Sequence, residues 1–139
     1  MGTGLNAQRQ REPAECGLAC LAACAQTLGL EVGLDEFRRA HAVRPRGMTA
    51  RNLIAVAALF NMSVRALRGD LTEACGLPRP TILHWRAEHF VVLRGVDQDL
   101  LRIFDPLFGD CDLPLRTARG RFSGVAFEVR LAHSVSSAG

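Results

Sequence analysis

Residues 16–29 read CGLACLAACAQTLG, and their apolar character runs almost all the way round a helical wheel before stopping at a glycine. A stripe on one face would mark a surface helix, whereas this pattern marks a helix that other elements surround. It predicts a central buried helix over residues 17–28 with Cys16 at its amino end. Pro13 suits an entry turn three residues earlier. Working outward, Leu34, Phe37 and Ala40 share helical spacing. Thr49 can cap a second amphipathic helix over 50–60 that presents Leu53, Ile54, Ala57 and Ala58. From Pro80 the pattern changes to short β-rich runs over 81–85, 89–96, 100–104 and 125–131, separated by glycine and aspartate turns. A helical first half followed by a sheet-forming second half is an α+β arrangement.

A chain of 139 residues with 48% apolar content is enough for one core and one domain. The expected organisation is a loose segment over 1–9, a folded unit over 10–132 and a serine-rich tail or linker stub over 133–139. The net charge of +3 comes from scattered arginines without aromatic interleaving, so nucleic acid is not an expected partner. Neither terminus carries about 18 consecutive apolar residues, and residues 1–15 lack the apolar middle of a signal peptide. The expectation is a soluble, unexported chain. Its five cysteines, an odd number, then read as reduced thiols.

Cys16, Cys20 and Cys24 recur every four residues, unlike the paired spacing of structural zinc sites, and no metal is expected. Cys20 and Cys24 belong to the helix interior and read as packing residues. Cys75 and Cys111 have no basic neighbour close in sequence and receive no role. Cys16 differs by position: the aligned peptide dipoles put partial positive charge at the amino end of its helix, which favours a thiolate nucleophile.

A thiolate nucleophile needs a base or ion-pair partner, and there are four histidines. His133 sits in the tail and His41 ends a short helix, which leaves His84 and His89 near strands. If the runs from His89 and to Asp105 form an antiparallel hairpin joined by Asp97, Gln98 and Asp99, Val96 lies opposite Leu100 and Val91 opposite Asp105. His89 and Asp105 then share a face as diagonal neighbours about 7–8 Å apart at the backbone, within side-chain reach. A two-residue turn would put them on opposite faces, since a one-residue slip flips every side chain. Taken singly, His89 could be a strand-start histidine bonded to backbone and Asp105 a turn residue before Pro106. Gln10, six residues ahead of Cys16, is either a flexible polar residue or an amide able to fold back towards an oxyanion.

Gln10, the run Glu15-Cys16-Gly17-Leu18-Ala19-Cys20-Leu21, the run His89-Phe90-Val91-Val92-Leu93 and the pair Asp105-Pro106 together resemble the bacteriocin-processing peptidase family, the amino-terminal cytosolic domain of bacterial ABC exporters. The runs Ile82-Leu83-His84-Trp85 and Phe122-Ser123-Gly124-Val125-Ala126 are similar to its colicin V secretion branch. The resemblance covers nearly the whole chain. It implies a papain-like fold in which a helical half carries Cys16 and a sheet half carries His89 and Asp105, with Gln10 in the oxyanion hole and His84 structural. It also implies a cysteine endopeptidase that cuts a precursor peptide after a Gly-Gly leader motif, with an amphipathic leader helix docked on an apolar surface.

The partners this implies are that precursor peptide and the transmembrane and ATPase domains of the same exporter. The place implied is the cytoplasmic side of the bacterial inner membrane. The peptidase domain would need no cofactor, ATP serving the full-length transporter. Glu15 stands where many relatives have aspartate, and Leu107-Phe108-Gly109 is more apolar than the family pattern leads one to expect. Two alternatives are a non-cleaving domain that docks the leader or cargo, as in relatives that have lost the cysteine, and a freestanding peptidase.

Overall fold

The burial expected of the first helix is complete: every residue from Cys16 to Ala25 is buried in α1 (Cys16–Thr27) of the computed structural model, which describes residues 15–41 and 48–132. The expected segments 1–9 and 133–139, with Gln10 and His133, lie outside the described residues. Gly29 ends the helix in the left-handed region (φ 82°). Its N–H bonds to the Gln26 carbonyl at 3.0 Å and that of Leu30 to the Ala25 carbonyl at 2.9 Å, the double closure that satisfies otherwise orphaned carbonyls.

Two shorter helices flank it. In α2 (Leu34–Ala40), Leu34 and Phe37 are buried, and the Glu36 carboxylate accepts from the Gly33 N–H at 2.8 Å at the helix start. The Thr49 hydroxyl accepts from the Asn52 N–H at 3.1 Å and opens α3 (Ala50–Ala58), as the capping pattern predicts. That helix stops two residues short of Phe60, because the chain reverses at Asn61 in a left-handed conformation (φ 65°).

The reversal introduces an element that the sequence reading assigned to the helical half. β1 (Met62–Arg68) alternates buried Met62 and Val64 with exposed Ser63 and Arg65, a short period-two signal masked by its arginines. After α4 (Leu71–Cys75) come β2 (Thr81–Trp85), β3 (His89–Asp97), β4 (Leu100–Asp105), β5 (Gly109–Pro114), α5 (Leu115–Arg121) and β6 (Phe122–Leu131). The strands form one antiparallel sheet in the order β1-β6-β2-β3-β4-β5. The α+β arrangement with a helical part and an antiparallel sheet is therefore present, with one strand from the first half completing the sheet.

Side-chain alternation divides the core. Ile82, Phe90, Val92, Phe104, Phe127 and Val129 pack with α1, α2 and α3 on one face, while Leu83, Val91, Leu93, Leu101, Ile103 and Ala126 pack with α4 and α5 on the other. The sheet is thus covered on both sides. α1 lies against β3, which sets the amino end of the helix beside the strand that begins at His89.

Candidate active site

The β3–β4 hairpin reaches the expected pairing by an unexpected route. Asp97 pairs with Leu100, so only Gln98 and Asp99 form the turn, and Gln98 takes the positive φ (56°) such a tight turn requires. A two-residue turn alone would put His89 and Asp105 on opposite faces. A bulge between Leu93 and Gly95 absorbs one residue, Arg94, and shifts the register back so that Leu93 pairs with Ile103 and Val92 with Phe104. Continuing that register places Val91 opposite Asp105. The predicted three-residue turn is corrected; the predicted pairing holds because a second shift cancels the first.

His89, the first residue of β3, and Asp105, the last of β4, consequently meet at one end of the sheet. His89 Nε2 lies 2.8 Å from Asp105 Oδ1. An ionised carboxylate can only accept, so Nε2 carries the proton and donates it. The same Asp105 oxygen accepts from the Leu107 N–H at 2.9 Å, which fixes the carboxylate at the start of the β4–β5 turn. Burial opposes ionisation of Asp105, but the His89 and Leu107 hydrogen bonds, with the His89 and Arg121 charges, hold its pKa below the usual carboxylate value.

Cys16 stands at the amino end of α1, near enough to the His89 ring for its thiol to help raise the ring's pKa. With Nε2 committed to Asp105, Nδ1 is the ring nitrogen left for the thiol. Burial disfavours charge on the ring, yet the hydrogen bond to Asp105, the nearby Cys16 thiol and the charges of both outweigh it and push the His89 pKa up to about 9. The three side chains named from the sequence are brought together; Gln10 cannot be placed.

Cys20 and Cys24 are fully buried, and burial raises the first thiol well above its ordinary value and the second to about 12, as packing residues require. His84 shares a 2.8 Å hydrogen bond with the Ser123 hydroxyl and tilts against the Phe90 ring at 5.2 Å. Burial lowers its pKa against a weaker pull from Glu88. That environment is structural, as expected.

The reading from sequence missed Arg38. Its guanidinium holds the nearly buried Glu15 carboxylate in a fork, Nε to Oε2 at 2.7 Å and Nη2 to Oε1 at 2.9 Å. The hydrogen bonds to Glu15 raise the Arg38 pKa. An unneutralised carboxylate beside Cys16 would oppose the helix dipole, so Arg38 protects the electrostatics of the helix start while tying α2 to α1. The i to i+23 separation left no local signal of this pair. Among the described residues no group of three or more His, Cys, Asp or Glu side chains could hold a metal ion. No helix among them is long and apolar enough to cross a membrane.

A thiol at a helix start, a histidine opposite and a carboxylate orienting the ring, on a helical part packed against an antiparallel sheet, define the class of papain-like cysteine peptidases. Residues 5–134 match the peptidase C39 family, and the chain belongs to it. It is 38% identical over 120 residues to the colicin V secretion/processing ATP-binding protein CvaB of Escherichia coli, and equally so to the probable microcin-H47 secretion/processing ATP-binding protein MchF of the same organism. Each match covers 86% of this chain and 17% of the relative, so the chain spans under a fifth of those proteins.

Among solved structures it superposes on a double glycine motif protease from an AMS/PCAT transporter in complex with the leader peptide, with a TM-score of 0.83, 28% identity and 89% coverage of both chains. The peptidase domain of Streptococcus ComA, a bifunctional ABC transporter involved in quorum sensing, shares the fold at a TM-score of 0.80 and 23% identity, covering 88% of this chain and 96% of that one. The protein is a cysteine peptidase domain of the C39 family, as the sequence resemblance implied.

Proposed function

We propose that this domain removes the leader of a bacteriocin- or microcin-type precursor by cutting directly after a Gly-Gly motif, with Cys16 as nucleophile, His89 as base and acid, and Asp105 orienting the ring. The observation that carries the proposal is the 2.8 Å His89–Asp105 hydrogen bond on a ring that also engages Cys16. The CvaB relative and the leader-bound transporter protease support the substrate class.

The thiolate attacks the carbonyl carbon of the second glycine, forming a C–S bond and a tetrahedral oxyanion. The Gln10 amide is assigned to that oxyanion, where a comparable donor is worth about 3–4 kcal/mol. The imidazolium of His89 gives its Nδ1 proton to the departing amine as the C–N bond breaks, leaving a thioester on Cys16. Water then attacks the thioester, His89 takes a proton from it, and the leader carboxylate and Cys16 are released. Asp105 keeps Nε2 protonated, so Nδ1 is the nitrogen that exchanges the proton.

In the intact exporter, transmembrane and ATPase domains of the same protein follow this domain on the cytoplasmic side of the inner membrane. ATP belongs to those domains, and hydrolysis of the peptide bond needs no cofactor here. The test is incubation of the parent chain and Cys16→Ala with a synthetic leader ending in Gly-Gly joined to a short mature segment, with products identified by mass spectrometry. Cleavage after the second glycine by the parent alone supports the reading. Leader binding without cleavage by either chain would establish a docking domain instead.

A further inference from the structure

Beyond His89 the surface opens into a cavity of about 550 Å³ whose walls include Trp85, Glu88, His89, Asp105, Leu107 and Phe108. Phe108 is 71% exposed and Leu107 42% exposed, so two large apolar side chains face water beside a polar catalytic pair. They are not loosely held. The Asp105 carboxylate accepts from the Leu107 N–H at 2.9 Å, its carbonyl accepts from the Phe108 N–H at 3.0 Å, and Gly109 closes the turn at φ 88°. The residue that orients His89 thereby also fixes the turn that presents these side chains. The indole Nε1 of Trp85, in the same wall, is buried without a hydrogen-bond partner among the described residues.

Resting on the reading of Cys16 and His89 as nucleophile and acid, we propose that this cavity binds the first residues of the mature peptide, after the cut, and favours large apolar or aromatic side chains there. The side follows from the chemistry. The acyl half of the substrate stays on Cys16, which does not line the cavity among the described residues, while the amine half departs past the His89 proton. A peptide continuing from that amine runs over the His89–Asp105 end of the site, where Phe108, Leu107 and Trp85 offer apolar contact. Specificity would then be set on both sides of the scissile bond, by small leader residues before it and bulk after it.

The test uses peptides with one leader ending in Gly-Gly and with Phe, Leu, Gly or Asp placed in turn at the first three mature positions, read as kcat/KM. Phe or Leu at one of these positions should exceed Gly by about tenfold. In Phe108→Ala, and further in Leu107→Ala/Phe108→Ala, that ratio should collapse towards one; Phe108 is exposed, and circular dichroism would verify that its truncation leaves the fold intact. Equal cleavage of the whole series, a preference for Asp, or a ratio untouched by the substitutions overturns the assignment while leaving the peptidase reading in place. Failure of the parent to cleave any member removes the peptidase reading and the cavity's role with it.

Discussion

His89 Nε2 and Asp105 Oδ1 lie 2.8 Å apart because two one-residue shifts in the β3–β4 hairpin cancel, one in the Gln98-Asp99 turn and one in the bulge at Arg94. The bulged Arg94 is itself secured, with its guanidinium 5.6 Å from the Phe104 ring centroid, 3.5 Å from Asp110 Oδ1 and 3.3 Å from Thr27 Oγ1. Three elements therefore hold in place the residue that corrects the register.

Deleting Arg94 should leave the pairing in place, because with the extra residue gone Leu93 joins Gly95 and the ladder runs unbroken from Asp97–Leu100 to Val92–Phe104. Inserting one alanine between Val91 and Val92 should do the opposite: the added residue takes the place opposite Asp105 and His89 moves to the other face. Cleavage should fall to the level of Cys16→Ala in the insertion variant, while the Arg94 deletion and Arg94→Ala retain most activity. Full cleavage by the insertion variant would contradict the register argument, and loss of cleavage in the deletion but not in Arg94→Ala would mean that the bulge does more than set the register.

Activity should follow a bell-shaped pH profile whose alkaline limb lies near pH 9, where the His89 ring loses its proton. Rates measured from pH 4 to 10.5 check this. In Asp105→Asn the ring loses the charge that holds its proton, so the alkaline limb should move down, and the lost tautomer control should lower kcat by about 10²–10⁴. An unchanged limb would show that another group sets it.

Stability should depend on the same ring, with a definite sign. The folded pKa of His89, about 9, is raised above its ordinary 6.5, so its contribution is fully present below pH 6.5 and is lost as pH rises towards 9. Asp105, whose pKa is lowered, contributes above the ordinary carboxylate value and loses that contribution in acid. Tm measured from pH 6 to 9.5 should decline more steeply in the parent than in His89→Ala. Parallel curves would contradict the linkage.

Arg38→Met should remove the fork on the nearly buried Glu15 carboxylate, costing about 1–3 kcal/mol by chemical denaturation, less than for a fully buried pair because both side chains keep some exposure. It should also slow alkylation of Cys16 at neutral pH, since the carboxylate beside it loses the positive charge of the guanidinium. Glu15→Gln with Arg38→Met should restore much of the alkylation rate. A rate that stays low in the double variant would assign Arg38 a packing role alone.

Residues whose meaning is local were legible without coordinates. The all-round apolar run after Cys16 specified a buried helix, Thr49 its neighbour's cap, and Gly29 a left-handed stop, because each depends on periodicity or on one backbone conformation. β1 escaped because four of its seven residues are Arg, Ser or Ala and its partner, β6, lies some sixty residues later. The Glu15–Arg38 fork was hidden for a related reason, and Leu107-Phe108 showed only as an unusually apolar stretch: the significance of both lies in what is near them in space.

The amino-acid sequence by itself determined the central helix and the helix-then-sheet order and, through a recognisable set of motifs, pointed to Cys16, His89 and Asp105 as the candidate catalytic residues. Only the tertiary structure decided that His89 and Asp105 face each other. Side-chain direction along a strand alternates at every residue, so the outcome rested on whether the total of turn and bulge shifts was odd or even. The cancelling bulge at Arg94 is held by the Phe104 ring, Asp110 and Thr27, two neighbouring strands and the central helix, whose positions no local pattern around residue 94 encodes.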